Sequence, residues 1–265
     1  MSMADVHIFT HEAMKTTFTL HLRNKQRSLA HDAAHQMFRT IDEIENALSR
    51  YRSGSDVSQI NRMTSGQSLF ISDTCYDCLR IALEVHVESG GLFDVTLGQQ
   101  IEHRKGDLAG DVPDVKGLLM LDPDRPALHC IEAGREIDLG GIGKGFALDR
   151  IQQTLIEWGI ESGLLSAGAS TQLAFGEESW TINRTGVEGM PNLELQNEAL
   201  SISGTSIQGS HIVSPRTFEQ RSYPYERLWV IHKEAARADA WSTACLLMTS
   251  EELEENKKSI RIFTE

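Results

Sequence analysis

The sequence predicts an α+β fold, a mixed sheet with helices, built as a single domain over residues 1–265. Three observations carry this. Short alternating stretches that read as strands are numerous. Long stretches with helical apolar spacing are fewer and stand between them. The two kinds do not alternate strictly, which disfavours a doubly wound parallel sheet. A chain of 265 residues is long enough to bury a sizeable core.

"KTTFTLHL", residues 15–22, alternates and predicts a strand, the first of a hairpin or a sheet edge. From Gln26 to Ser49, Leu29, Ala33, Phe38, Ile41, Ile44 and Leu48 recur at helical spacing. His31 and His35 lie four apart on this helix. Without the glutamate of an HExxH pattern they read as a solvated or partly packed face. Ser53-Gly54-Ser55 is turn chemistry. Asp73 suits an N-cap, and a second helix runs to about Glu88 with Leu79, Ala82, Leu83 and His86 inward. Residues 102–126 are polar, hold three of the six prolines and predict an irregular excursion with one short helix.

"ALHCIE" and "EIDLG" read as short strands. The glycine-rich "IDLGGIGKGFALDR" leads into a helix in which Phe146, Ala147, Ile151, Leu155 and Trp158 keep the period, and Gly159 suits its end. "GLLSAGAS", "TQLAF", "SWTIN", "ALSIS", "GSHIVS" and "RLWVI" are strand candidates. "ADAWSTACLLMT" is apolar enough for a buried helix, and "SIRIFTE" closes as a strand.

The formal net charge of −13 argues against nucleic acid or an anionic membrane as partner. An anionic ligand would need local positive charge from a metal, a helix N-terminus or a few basic side chains. No stretch is long and apolar enough for a membrane span. The first residues lack the basic end, apolar run and cleavage site of a signal peptide, so the expected location is the cytoplasm, or the periplasm if a leader has been removed. Cys75 and Cys78 have redox-motif spacing, but no second pair completes a zinc site. Two thiols near a helix start, one buried and one not, are the plainer reading.

The glycine stretch raises the main chemical question. Gly141, Gly143 and Gly145 are spaced GxGxG, not GxGxxG, and Lys144 is followed by glycine where a P-loop needs Ser or Thr. Both nucleotide motifs fail, yet glycines and free amides at a helix start still suit an anion. A close strand–helix crossing with a surface lysine explains the stretch equally well. Asp239 and Thr243, four apart, are hard oxygen donors suited to Mg2+. Taken alone they read better as a helix cap and a hydroxyl bonded to its own helix. Asp94 and Thr96 fit an ordinary turn, and His211 fits either acid–base work or packing.

The order of these segments carries more than any one of them. "LSRYRSGSDVSQIN", "GGLFDVTLG", "IDLGGIGKGFALDR", "SGTS…SHIVSPRT" and "ADAWSTA" together resemble the ApbE family, the FAD:protein FMN transferases, from about Met14 to about Met248. The resemblance implies a mixed α/β, T-fold-related domain with a ligand cleft between sheet and helices. It implies FAD as substrate, Mg2+ as cofactor, and transfer of the FMN half to a Thr or Ser hydroxyl of an acceptor protein, releasing AMP. It places the metal on Gly141, Asp239 and Thr243, with Lys144, His211 and Asp94 as catalytic residues. It places the flavin nucleotide against Met14, Tyr51, Asp94, Gly143, Lys144, Ser203 and His211. Three departures stand out. The D-P-x-T-G of the family reads Ser214-Pro215-Arg216-Thr217-Phe218, its G-G-D reads Gly168-Ala169-Ser170, and its M-G-T reads Met14-Lys15-Thr16. Lost acids near one pocket keep two other expectations open, an FAD pyrophosphatase and a flavin- or nucleotide-binding protein without transfer chemistry.

Overall fold

The computed structural model describes residues 5–24, 26–106, 111–182, 192–204, 212–217, 223 and 225–265. Its centre is a seven-stranded antiparallel sheet in the order β1-β2-β6-β7-β10-β11-β12. The strands are β1 (Val6–Ala13), β2 (Thr16–Arg23), β6 (Ser162–Ala167), β7 (Thr171–Phe175), β10 (Glu198–Gly204), β11 (Arg227–His232) and β12 (Arg261–Thr264). A three-stranded sheet, β3-β5-β4, is formed by β3 (Ser68–Phe70), β4 (Leu118–Leu121) and β5 (Ala127–Glu132). The hairpin of β8 (Trp180–Ile182) and β9 (Leu193–Leu195) is the third sheet. The helices are α1 (Arg27–Leu48), α2 (Asp56–Ile60), α3 (Asp73–Glu88), α4 (Gly98–Lys105), α5 (Gly143–Glu157), α6 (Ala235–Leu246) and α7 (Ser250–Asn256).

Alternation in the strands sets the layers. Phe18, Leu20 and Leu22 of β2, Leu165 of β6, and Leu173 and Phe175 of β7 point to one face. There they meet Met37 and Ile41 of α1 and Leu148 and Ile151 of α5 in the main core. Each such side chain, fully buried, contributes about 1.5–3 kcal/mol. The opposite face carries Leu200, Trp229 and Ile231, covered by Ile182, Leu193 and Leu195 of the β8–β9 hairpin.

Several sequence expectations need correction. The strand over 15–22 is the second of its hairpin. β1 precedes it and pairs with it through a two-residue turn, Met14 (φ 51°) and Lys15 (φ 58°). Both residues are left-handed, as a type I′ hairpin requires. The second helix is capped by Ser72, whose hydroxyl accepts from the Cys75 amide, and Asp73 is its first residue. Leu83 on that helix is 52% exposed, not inward. The excursion over 102–126 contains the strand β4, and its short helix α4 begins before it. "EIDLG" makes only an isolated bridge at Glu136, because its polar groups turn to other partners. Of "GSHIVS", residues 212–214 are not strand, and 209–211 lie outside the described residues.

Candidate functional site

The glycine-rich stretch becomes a tight turn followed by the first turn of α5. Asp138 is buried, and its Oδ1 accepts the Gly140 amide at 2.8 Å, closing the turn. Gly145 answers a packing demand. A Cβ there would lie 2.1 Å from the Ala235 carbonyl oxygen, so only glycine lets α5 and α6 cross this closely. Gly141 sits against the other helix turn, where a Cβ would come within 3.2 Å of the Phe93 ring and 3.3 Å of Thr243 Oγ1.

Asp239 of α6 is fully buried and aimed at this turn. Its Oδ2 accepts the Gly145 amide at 3.2 Å and lies 3.8 Å from Lys144 Nζ. Its Oδ1 accepts hydroxyls of Thr171 and Ser201, each at 3.2 Å. A buried carboxylate without such donors would carry a large desolvation penalty. Behind it, Ser242 bonds Ser201 at 3.2 Å and Ser203 at 2.8 Å. Lys144 also donates to the Gly140 carbonyl at 3.3 Å.

Helix α6 owes its place to α5 a second time. The carboxylate of Asp149 accepts the amides of Ala235 at 2.7 Å and Ala236 at 2.8 Å, capping α6 at its first turn. Burial pushes this carboxyl up to about 6, against the two amides that favour its charge.

Two cavities meet above the turn. One, of about 190 Å³, is lined by Met14, Tyr51, Gly143 and Lys144; the other, of about 240 Å³, by Asp94, Gly141, Lys144 and Thr243. Lys105, Asp138, Gly140 and Lys144 line both. The first cavity carries the cations Lys15, Arg50, Lys105 and Lys144 against the anions Glu45 and Asp138. An acidic chain has therefore gathered local positive charge, the condition set above for an anionic ligand. Arg50 donates to the Gly98 carbonyl at 2.7 Å and to Glu136 at 2.6 Å, and lies 3.4 Å from Asp138. Lys105 reaches Asp138 at 3.2 Å. Burial works to raise the Asp138 carboxyl, but Lys105, the Gly140 amide and Arg50 together hold it below its usual range. Tyr51 stands at the rim, its hydroxyl donating to Glu102 at 3.1 Å and its ring under Lys15 Nζ at 4.1 Å.

The structure thus brings Met14, Tyr51, Gly143 and Lys144 to one cavity and Asp94, Gly141 and Thr243 to its neighbour, with Asp239 beneath the shared turn. Asp94 is tied into its own turn, accepting the Thr96 amide and hydroxyl. Ser203 departs from its expected contact with a nucleotide. It is wholly buried and turned towards Ser242, where its hydroxyl finds a partner without solvent. His211 lies outside the described residues. Sequence reasoning missed Arg50, Lys105 and Asp138 as a group, and Thr171 and Ser201 as the holders of Asp239. The thiols of Cys75 and Cys78 are buried, and burial raises both, Cys75 to beyond any useful range; nothing here favours a redox pair.

Among the described residues no group of three or more His, Cys, Asp or Glu gathers as a metal centre. The set around Gly141 is of another kind: one carboxylate, one hydroxyl and a glycine turn without a side chain in the way. Hard oxygen donors of this sort fit Mg2+, which keeps waters and substrate phosphates as its remaining ligands.

Comparison with known proteins places the chain in a family and a fold. A family model described as "ApbE family" matches residues 14–262. A relative from Chlamydia muridarum named FAD:protein FMN transferase is 29% identical over 261 residues, covering 86% of this chain and 78% of that protein. One from Buchnera aphidicola subsp. Schizaphis graminum with the same name is 25% identical over 241 residues, covering 79% and 71%. Among solved structures, the apo form of Pseudomonas stutzeri flavinyl transferase ApbE superposes with a TM-score of 0.86 at 22% identity, covering 99% of this chain and 91% of that one. The apbe protein of Thermotoga maritima gives 0.84 at 21% identity, covering 98% and 94%. At these identities the structural matches speak for the fold.

Proposed function

The chain belongs to the ApbE family, and from that premise we propose that it is an Mg2+-dependent transferase that moves the FMN half of FAD onto a Thr or Ser hydroxyl of an acceptor protein. The hydroxyl oxygen bonds to the phosphorus of the FMN half, the bond from that phosphorus to the bridging oxygen breaks, and AMP leaves as the hydroxyl gives up its proton. The observation that carries the reading is the aim of Asp239 at the glycine turn, with Thr243 against Gly141. Segments about a hundred residues apart in sequence thereby place oxygen donors and a lysine around one point.

In this reading Asp239, Thr243 and the Gly141 carbonyl hold the ion, which neutralises charge on the phosphoryl oxygens when bound. Lys144 contributes fixed positive charge beside the departing phosphate. Lys105 and Arg50, anchored by Asp138, attract the diphosphate to the cavity. Met14 and Tyr51 offer apolar and aromatic surface to a ring of the nucleotide, and Asp94 orients its own side of the neighbouring cavity. His211 is assigned to the phosphates with them.

Incubation with FAD, Mg2+ and a Thr-containing acceptor peptide tests the proposal. AMP should appear together with an acceptor heavier by the FMN moiety. AMP and free FMN at the same rate without acceptor would replace transfer by pyrophosphate hydrolysis. Retained FAD with no AMP would leave only binding.

A further inference from the structure

The transfer reading makes no use of the first turns of α1, where two histidines face each other in the open. His31 and His35 are exposed and lie four residues apart on one helix face. Their Nε2 atoms are 3.2 Å apart, with the ring centroids at 4.4 Å. Two metal–imidazole bonds of about 2.0–2.1 Å spanning that separation would meet at an angle of about 100°, between square-planar and tetrahedral values. The other nitrogen of His31 is also provided for. Its Nδ1 lies 3.2 Å from Asp32 Oδ1, so that with Nδ1–H donating to the carboxylate the Nε2 lone pair faces His35 Nε2, the position an ion would take between the two rings. Phe9 stands edge-on to His31 and Phe38 edge-on to His35, limiting ring rotation on both sides.

We propose that His31 and His35 form a bidentate surface site for a borderline divalent transition ion, Zn2+, Cu2+ or Ni2+, with Asp32 orienting the first ligand and water completing the shell. The site is independent of the cavity in place and in chemistry. From His31 to Glu45, the first residue of α1 that lines the cavity, the helix runs about 21 Å at 1.5 Å per residue. Imidazole nitrogens select these ions, whereas the cavity presents hard oxygens suited to Mg2+. A local consequence follows for the helix. α1 begins at Arg27, its N-cap residue Gln26 makes no side-chain cap, and its first turn holds no acidic residue. An ion bridging two successive turns staples an end that the sequence leaves uncapped.

The test is calorimetric titration of the full untagged chain, stripped with EDTA, with ZnCl2 and then with CuSO4, in saturating Mg2+. One ion should bind per chain in the micromolar range, Cu2+ more tightly than Zn2+, with a rise in Tm. His31→Ala and His35→Ala should each weaken binding about tenfold or more, and the double variant should lose little beyond either single one. Asp32→Asn should weaken it by a smaller factor while leaving one ion bound. Unchanged affinity and stoichiometry in the histidine variants would assign the ion elsewhere and overturn the proposal. Absence of binding below millimolar ion would also overturn it, leaving an ordinary imidazole–imidazole hydrogen bond. AMP release from FAD is measured in parallel. It should be the same in all variants, so its absence bears on the transfer reading alone.

Discussion

At the scale of single residues, a glycine and a threonine make the sharpest demands. Gly145→Ala would drive a methyl into the Ala235 carbonyl, 2.1 Å from the Cβ position, and neither backbone can yield alone. The expected cost is about 2–3 kcal/mol, read as a lower guanidinium midpoint; a midpoint equal to that of the parent would contradict the crossing described. Thr243→Val keeps the shape and removes the hydroxyl. Stability should stay within about 1 kcal/mol while Mg2+-dependent turnover collapses, a combination that separates a ligand from a packing residue. The pair Asp239 and Thr243 is local, four residues apart on one helix, but the spacing alone read as a cap and a hydroxyl bonded to its own helix; only the order of the motifs along the chain singled it out. Its support left no trace in the sequence at all. Thr171 and Ser201 reach Asp239 from 68 and 38 residues away, and two ordinary strand hydroxyls carry no sign of the carboxylate they hold.

At the scale of elements, α5 acts twice on α6: through the glycine crossing and through Asp149 at the cap. The carboxyl of Asp149 is pushed up to about 6 in the fold, mainly by burial, against 3.8 as its ordinary value. The folded state therefore holds this proton more tightly than the unfolded chain. The resulting stability is fully present below about pH 3.8 and is lost as pH rises through about 6. Asp149→Asn keeps an acceptor at the cap and removes the titration. The stability advantage of the parent over this variant should shrink from pH 4 to pH 7; a difference independent of pH would contradict the burial argument. Helices α1, α3 and α5 were readable from apolar periodicity, since each buries one face, and α6 from its apolar run, since it is buried almost throughout. Strands β1 and β4 were not. Their residues alternate between exposed and half-buried, without the fully apolar face that marks a buried strand.

At the scale of the whole molecule, charge is distributed against its own sum. The chain carries a formal net charge of −13, yet Lys15, Arg50, Lys105 and Lys144 converge on one cavity. They come from a hairpin turn, a helix end and two further helices, so no run of basic residues announces them. Retained FAD should bind more weakly as NaCl is raised, because charges farther apart than about 8 Å are largely screened at physiological ionic strength and the screening distance shortens as salt is added. Lys144→Met should lower both the affinity at low salt and its salt dependence; an unchanged salt profile would remove Lys144 from the phosphate field. The most direct measurement for the whole account is a Mg2+ titration of AMP release from FAD in the presence of acceptor, for the parent chain and for Asp239→Asn. On the proposed reading an ion held at Asp239 would supply several kcal/mol of transition-state stabilisation, at about 1.4 kcal/mol per tenfold, so the variant should lose about a hundredfold or more at every Mg2+ concentration. A folded Asp239→Asn chain that releases AMP at the parental rate, with the parental Mg2+ dependence, would contradict it.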